Sequence, residues 1–132
     1  METRGLTPTD LAYIAGYVDG EGCFRLSGTA PRFSLNNTYL PTLLWMKAHF
    51  GGSLRSIKKV APHHRQAYEW ELGVRSGIHS FIEDIYPYLR EKAQQAELVL
   101  ECMELPRGDL RKVDIADELK AIKREEYYFE HI

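Results

Sequence analysis

The apolar positions of this chain change period several times, and each change marks an element. Leu11, Ile14 and Val18 recur at helical spacing within residues 7–19, where Thr7 is placed to cap, Pro8 suits the first helical position and Asp10 completes a capping box. Gly20 and Gly22 are expected to stop that helix. Residues 23–27 then alternate, 28–31 read as a turn, and 32–36 alternate again. A second helix fits 41–50, closed by Gly51 and Gly52. Strand signals return at 53–60 and 68–74, with the polar loop APHHRQ between them. Further helices fit 77–89, 92–105 and, past the breaker Pro106-Arg107-Gly108, roughly 112–127. The order is αββαββα plus C-terminal helices, an α+β domain.

At 132 residues and 44% hydrophobic content the chain can bury one core, so 1–132 is read as a single domain with a body at 7–105 and a helical tail at 106–132. A net charge of -2 exerts no overall pull on a polyanion; if nucleic acid binds, the basic residues have to gather on one face. No apolar run reaches membrane-spanning length, and the start METRGLTPTDL has neither a signal-peptide core nor a transit pattern. An intracellular protein without a membrane partner, acting in the compartment whose genome encodes it, is expected. Cys23 and Cys102 have no metal-ligand spacing and are read as packing residues. The charged run DELKAIKREE in the last helix reads as a solvated face.

The informative stretch is residues 11–22, LAYIAGYVDGEG. Ala12, Ala15, Gly16 and Asp19 share one helix face beside the apolar stripe. Gly16 costs about 1 kcal/mol against Ala in a helix interior, and close approach of a second helix would explain it. The chain has one such helix, so a second copy is the expected partner. Asp19 and Glu21 flank the closing glycine. A carboxylate beyond a helix C-terminus faces the negative end of the dipole, which a bound cation would offset. Two helices packed side by side would bring both Glu21 carboxylates to the dimer axis, a setting that suits hard divalent metals.

Residues 14–22, IAGYVDGEG, resemble the signature of the LAGLIDADG homing endonucleases, with Glu in place of the final Asp. A second block, Pro87-Tyr88-Leu89-Arg90-Glu91-Lys92 followed by Gln95-Ala96-Glu97-Leu98-Val99-Leu100, is similar to a segment of the single-motif, homodimeric enzymes of that family. The resemblance covers about residues 7–105. It implies a curved four-stranded antiparallel sheet that binds DNA, and hydrolysis of phosphodiesters on both strands of a long pseudo-palindromic duplex site, as in intron homing. It implies Mg²⁺ as the cofactor, with Mn²⁺ able to substitute and Ca²⁺ supporting binding without cleavage.

The same resemblance assigns roles. Glu21 would hold the metal with the Gly20 carbonyl, Lys92 would sit in the catalytic pocket, and Asn37 would hold the attacking water. Asp19 would be the structural acid that ties the helix end to its neighbour. One departure stands out: some relatives carry a basic residue a few positions past Asn37, whereas this chain has Leu40-Pro41-Thr42. Either that pocket is wetter or another residue supplies the charge.

Strand phase gives the reading face. If Phe24 and Leu26 point inward, Arg25 and Ser27 point outward, continuing to Thr29; Arg32, Ser34 and Asn36 likewise oppose Phe33 and Leu35. Arg55 is outward if Leu54 is inward, and Glu69 and Glu71 are outward if Tyr68, Trp70 and Leu72 are inward. Such a mixture of Arg, amide and carboxylate suits base edges in a major groove. Lys58, Lys59, His63, His64, Arg65 and Arg75 suit phosphates. Two other functions fit the same fold. An RNA-binding intron maturase would need a basic surface away from the sheet. A DNA-binding regulator that no longer cleaves would have no use for Glu21 and Lys92.

Overall fold

The computed structural model describes residues 5–130, with side chains for 5–126, so the outer limits of the 1–132 domain and the side chain at 127 lie outside the described residues. The elements are α1 (Pro8–Glu21), β1 (Gly22–Ser27), β2 (Ala30–Asn37), α2 (Leu40–Phe50), β3 (Ser53–Ile57), β4 (Ala67–Leu72), α3 (Arg75–Ile85), a 3-10 turn (Tyr86–Tyr88), α4 (Ala93–Glu104) and α5 (Arg111–Glu130). The strands form one antiparallel sheet in the order β1-β2-β4-β3. The αββαββα order is therefore present, followed by two helices.

Local chemistry accounts for most boundaries. Thr7 and Asp10 exchange hydrogen bonds at 2.9 and 3.1 Å across the first turn of α1, satisfying two of its orphan donors. Gly51 and Gly52 take φ of 80° and 87° after α2, and a Cβ at Gly52 would lie 2.4 Å from the Glu71 carbonyl. Several sequence boundaries shift, among them the start of β2, which takes in Ala30 and Pro31 of the expected turn. β3 ends at Ile57, short of the expected 60, and β4 ends at Leu72, short of 74. The helix expected over 77–89 instead spans Arg75–Ile85, because Pro87 lacks the N–H a further turn needs and the chain tightens into the 3-10 turn.

One face of the sheet, carrying Phe24, Phe33, Leu35, Trp70 and Leu72, is buried. It shares a single core with Ile14 and Val18 of α1, Leu43, Met46 and Phe50 of α2, and Ile78, Phe81, Ile82 and Ile85 of α3. Phe81 is the hub: its ring lies 4.9 Å from Phe33, 4.8 Å from Phe50 and 5.4 Å from Trp70. The Trp70 indole donates to the Gly51 carbonyl at 2.8 Å, so the largest core residue also leaves no polar atom unpaired. At the outer strand β1, Lys123 of α5 donates to the Phe24 carbonyl at 2.9 Å, which blunts a free sheet edge.

Ala15 departs from the sequence reading. It is fully buried in the chain's own core, because α1 leans that side of its small-residue face onto the sheet and α3. The exposed part of the face is Ala12, Gly16 and Gly20, with Tyr13 beside them at 52% exposure.

Candidate active site and outer sheet face

α1 does not stop at Gly20. It continues through Glu21, so this carboxylate belongs to the last helical turn, and Gly22 is both cap and first residue of β1. Residues about 70 positions away explain the extension. The Asp19 carboxylate accepts backbone N–H bonds from Arg90, Glu91 and Lys92 at 2.9, 3.1 and 2.9 Å. Lys92 then folds back, and its ammonium donates to the carbonyls of Asp19 at 2.8 Å and Val18 at 3.3 Å. A cation on the terminal carbonyls offsets the negative end of the helix dipole, which lets α1 carry an acid in its last turn. Gly22 is required for close packing rather than for an unusual φ: a Cβ there would meet the Val18 carbonyl at 2.8 Å and the Phe33 ring at 3.0 Å.

The lock leaves Glu21 exposed, and among the described residues it has no hydrogen bond or ion pair. Nothing lies within 4 Å of where a Cβ on Gly20 would be, so the neighbouring main chain is open to a ligand. Asp19 belongs to this lock: its half-buried carboxylate is engaged by three N–H groups of its own chain. Lys92 has two of its three N–H donors committed to carbonyls and keeps one for a phosphate or water.

Asn37 is not free to hold a water through its carbonyl oxygen. Its Oδ1 accepts from the N–H groups of Thr38 at 2.7 Å and Tyr39 at 3.0 Å, an Asx turn that connects β2 to α2. The remaining amide hydrogens face Tyr17, a residue that the sequence reading did not single out. Burial first, then Tyr13 and Glu21, raise the Tyr17 phenol above its ordinary pKa, while a hydrogen bond from Asn37 acts the other way. Tyr17 lies one helical turn before Glu21, and that i,i+4 spacing was the signal available in the sequence.

The outer sheet face presents Arg25, Arg32, Asn36, Arg55, Glu69 and Glu71 in the expected phase, but the register pairs most of its charges. Glu69 lies directly across from Arg55 and is bonded to it at 2.9 Å; its own side chain is 12% exposed beneath the arginine. Glu71 reaches Arg25 across β2 at 3.1 Å. Arg32 donates to the Gly73 carbonyl at 2.8 Å. Each glutamate thus pairs with an arginine through one carboxylate oxygen. Ser34 is 5% exposed, walled in between Cys23 and Glu71, and does not reach a partner in a groove. Ser27 and Thr29 are exposed at the β1–β2 turn, and Lys58 and Lys59 are exposed past β3. Arg75 leaves the face. It starts α3 and lines a cavity of about 360 Å³ in the helical layer with Ser76, His79, Met103 and Glu104.

Among the described residues, no group of three or more His, Cys, Asp or Glu side chains could hold a metal ion within one chain. Glu21 and the Gly20 carbonyl are hard oxygen donors, which suit Mg²⁺ or Ca²⁺ only when further oxygens come from elsewhere. No helix among the described residues is long and apolar enough to cross a membrane.

No family description and no curated protein matches the chain. Solved structures do. The homing endonuclease I-CvuI in complex with its target in the presence of Ca has a TM-score of 0.67 at 22% identity, over 86% of this chain and 81% of that one. The archaeal intron-encoded homing endonuclease I-Vdi141I complexed with DNA gives 0.69 at 21%, over 86% and 83%. The group I intron-encoded homing endonuclease I-CeuI complexed with DNA gives 0.64 at 16%, over 90% and 68%.

Proposed function

We propose that this chain, which has the LAGLIDADG homing endonuclease fold, is a site-specific DNA endonuclease that works as a two-fold homodimer and cuts both strands with a divalent metal, Mg²⁺ by preference. The observation that carries this reading is Glu21. It is an exposed carboxylate without a partner among the described residues, held at a helix end that Asp19 and Lys92 have fixed, at the margin of a sheet face bearing three arginines. A carboxylate placed where DNA phosphates would lie repels them unless a cation stands between. That cost has a purpose in a nuclease and none in a simple binder.

Glu21 and the Gly20 carbonyl of each subunit would hold the metal, which when bound lowers the pKa of water and neutralises charge on the phosphodiester. The chain's own contribution is positional. Asp19 and the loop at 90–92 fix where α1 ends, and Lys92 keeps one N–H donor for the phosphate or water. The Tyr17 phenol, which feels both Asn37 and Glu21, would stand near the acid. On the sheet, Arg25 and Arg55, each paired with a glutamate, would meet guanine edges, and Asn36 would supply an amide suited to adenine.

The exposed stripe Ala12, Gly16 and Gly20 is the surface on which a second α1 would pack, with Tyr13 and the Trp45 ring 6.2 Å from it at the rim. The expected mass in solution is therefore twice 15.2 kDa. Light scattering on Gly16→Leu should show dissociation, since a leucine there would hold two helices apart. A wild-type protein that stays monomeric at micromolar concentration would refute the dimer.

A further inference from the structure

The β2–β4 register pairs Asn37 with Tyr68. Continued three steps past that pair, the same register would set Leu40, the first residue of α2, opposite Arg65 at the end of the β3–β4 loop. A cleft of mixed polar and apolar lining opens there, about 510 Å³ in volume, bounded by Thr38, Tyr39, Leu40, Pro41, Arg65, Gln66 and Tyr68. Its one charged lining residue is Arg65, which is exposed and has no ion pair or hydrogen bond among the described residues. Arg25, Arg32 and Arg55 on the sheet are all engaged by protein groups. The base of the loop is fixed, because Gln66 donates to the carbonyls of Ile57 at 2.7 Å and Ala67 at 2.9 Å. Arg65 is thus a free guanidinium set on an anchored hinge.

The cleft opens at the same end of the sheet as Glu21. Glu21 immediately precedes Gly22, which pairs with Leu35 of β2, and Asn37 stands two residues further along that strand. Two strand spacings separate β1 from β4, roughly 10 Å. A DNA strand with a phosphate at Glu21 that crosses this end of the sheet would bring a neighbouring phosphate toward the cleft. We propose that Arg65 binds the DNA phosphate at or next to the bond being cut, supplying from the β3–β4 loop the positive charge that the start of α2 lacks. This rests on the endonuclease reading. A guanidinium fork matches two phosphate oxygens and stays charged at any working pH, so it serves both to place the strand and to oppose charge that builds during attack.

The test uses the full-length dimer, Arg65→Met and Arg65→Lys, and a target duplex with either its natural phosphates or a neutral methylphosphonate at the phosphate next to the cut position, where the metal's own oxygens are untouched. Single-turnover cleavage in Mg²⁺ should fall by about 10²–10³-fold in Arg65→Met, and Arg65→Lys should recover part of it. Binding in Ca²⁺ should weaken less, with the dependence of log affinity on log salt shallower by roughly 2 for two lost contacts per dimer. The neutral phosphate should impair the wild type and leave Arg65→Met no worse. A purely structural residue would not give that last result. Wild-type cleavage and an unchanged salt slope in Arg65→Met would overturn the proposal while the endonuclease reading stands. A wild-type dimer that binds its target and never cuts would sink that reading, and the salt slope alone would then decide whether Arg65 meets a phosphate.

Discussion

Glu21→Gln is expected to fold, dimerise and bind target duplex in Ca²⁺ at least as tightly as the wild type, while cleavage in Mg²⁺ falls roughly 10³-fold or more. The amide keeps the size of the side chain and the helix end, since no hydrogen bond or ion pair of Glu21 holds the described structure together. What it removes is the negative charge that a hard cation needs. Binding should hold or tighten because two carboxylates no longer face the phosphates across the dimer axis. Cleavage by Glu21→Gln at the wild-type rate would show that the metal is held elsewhere. Joint loss of binding and cleavage would make Glu21 a folding residue.

Asp19→Ala is expected to have the largest effect on stability, a loss of about 3–4 kcal/mol in urea unfolding. Three backbone N–H bonds to one carboxylate, at 2.9, 3.1 and 2.9 Å, disappear together. Bonds to a charged acceptor contribute roughly 1.5–3 kcal/mol each, and their sum is reduced by overlap and by water reaching the loop. The loop at 90–92 and the Lys92 ammonium on α1 should loosen in the same step, so dimerisation should weaken along with folding. Asp19→Asn should fall between, because one amide oxygen can still accept. An unfolding midpoint within error of the wild type would mean that the lock carries no stability, and the structural role given to Asp19 would have to be withdrawn.

The features legible in the sequence were those set by local chemistry. The Thr7–Asp10 capping box, the Gly51-Gly52 stop and the period-two alternation of β1, β2 and β4 act within a few residues, and they fixed both the element order and the buried phase of Phe24, Phe33, Trp70 and Leu72. The features that escaped depend on partners far along the chain. α1 runs on to Glu21 because residues 90–92 hold it there. Glu69 and Glu71 pair with arginines because register sets them within reach of Arg55 and Arg25. Ala15 turns inward and Arg75 joins the helical layer for reasons of tertiary packing. Asn37 has the amide the resemblance called for, yet its place at a strand end made it a turn residue first.

The most direct measurement works with an unknown target sequence. A diverse library of duplexes, including the DNA that flanks the gene, would be incubated with the wild-type protein in Mg²⁺, and all ends would be sequenced. One long, partly palindromic site cut on both strands is the expected result, with a matched Glu21→Gln sample giving no ends. Absence of cleavage in Mg²⁺ and Mn²⁺ alike, or ends scattered without sequence preference and unchanged in Glu21→Gln, would contradict the endonuclease assignment.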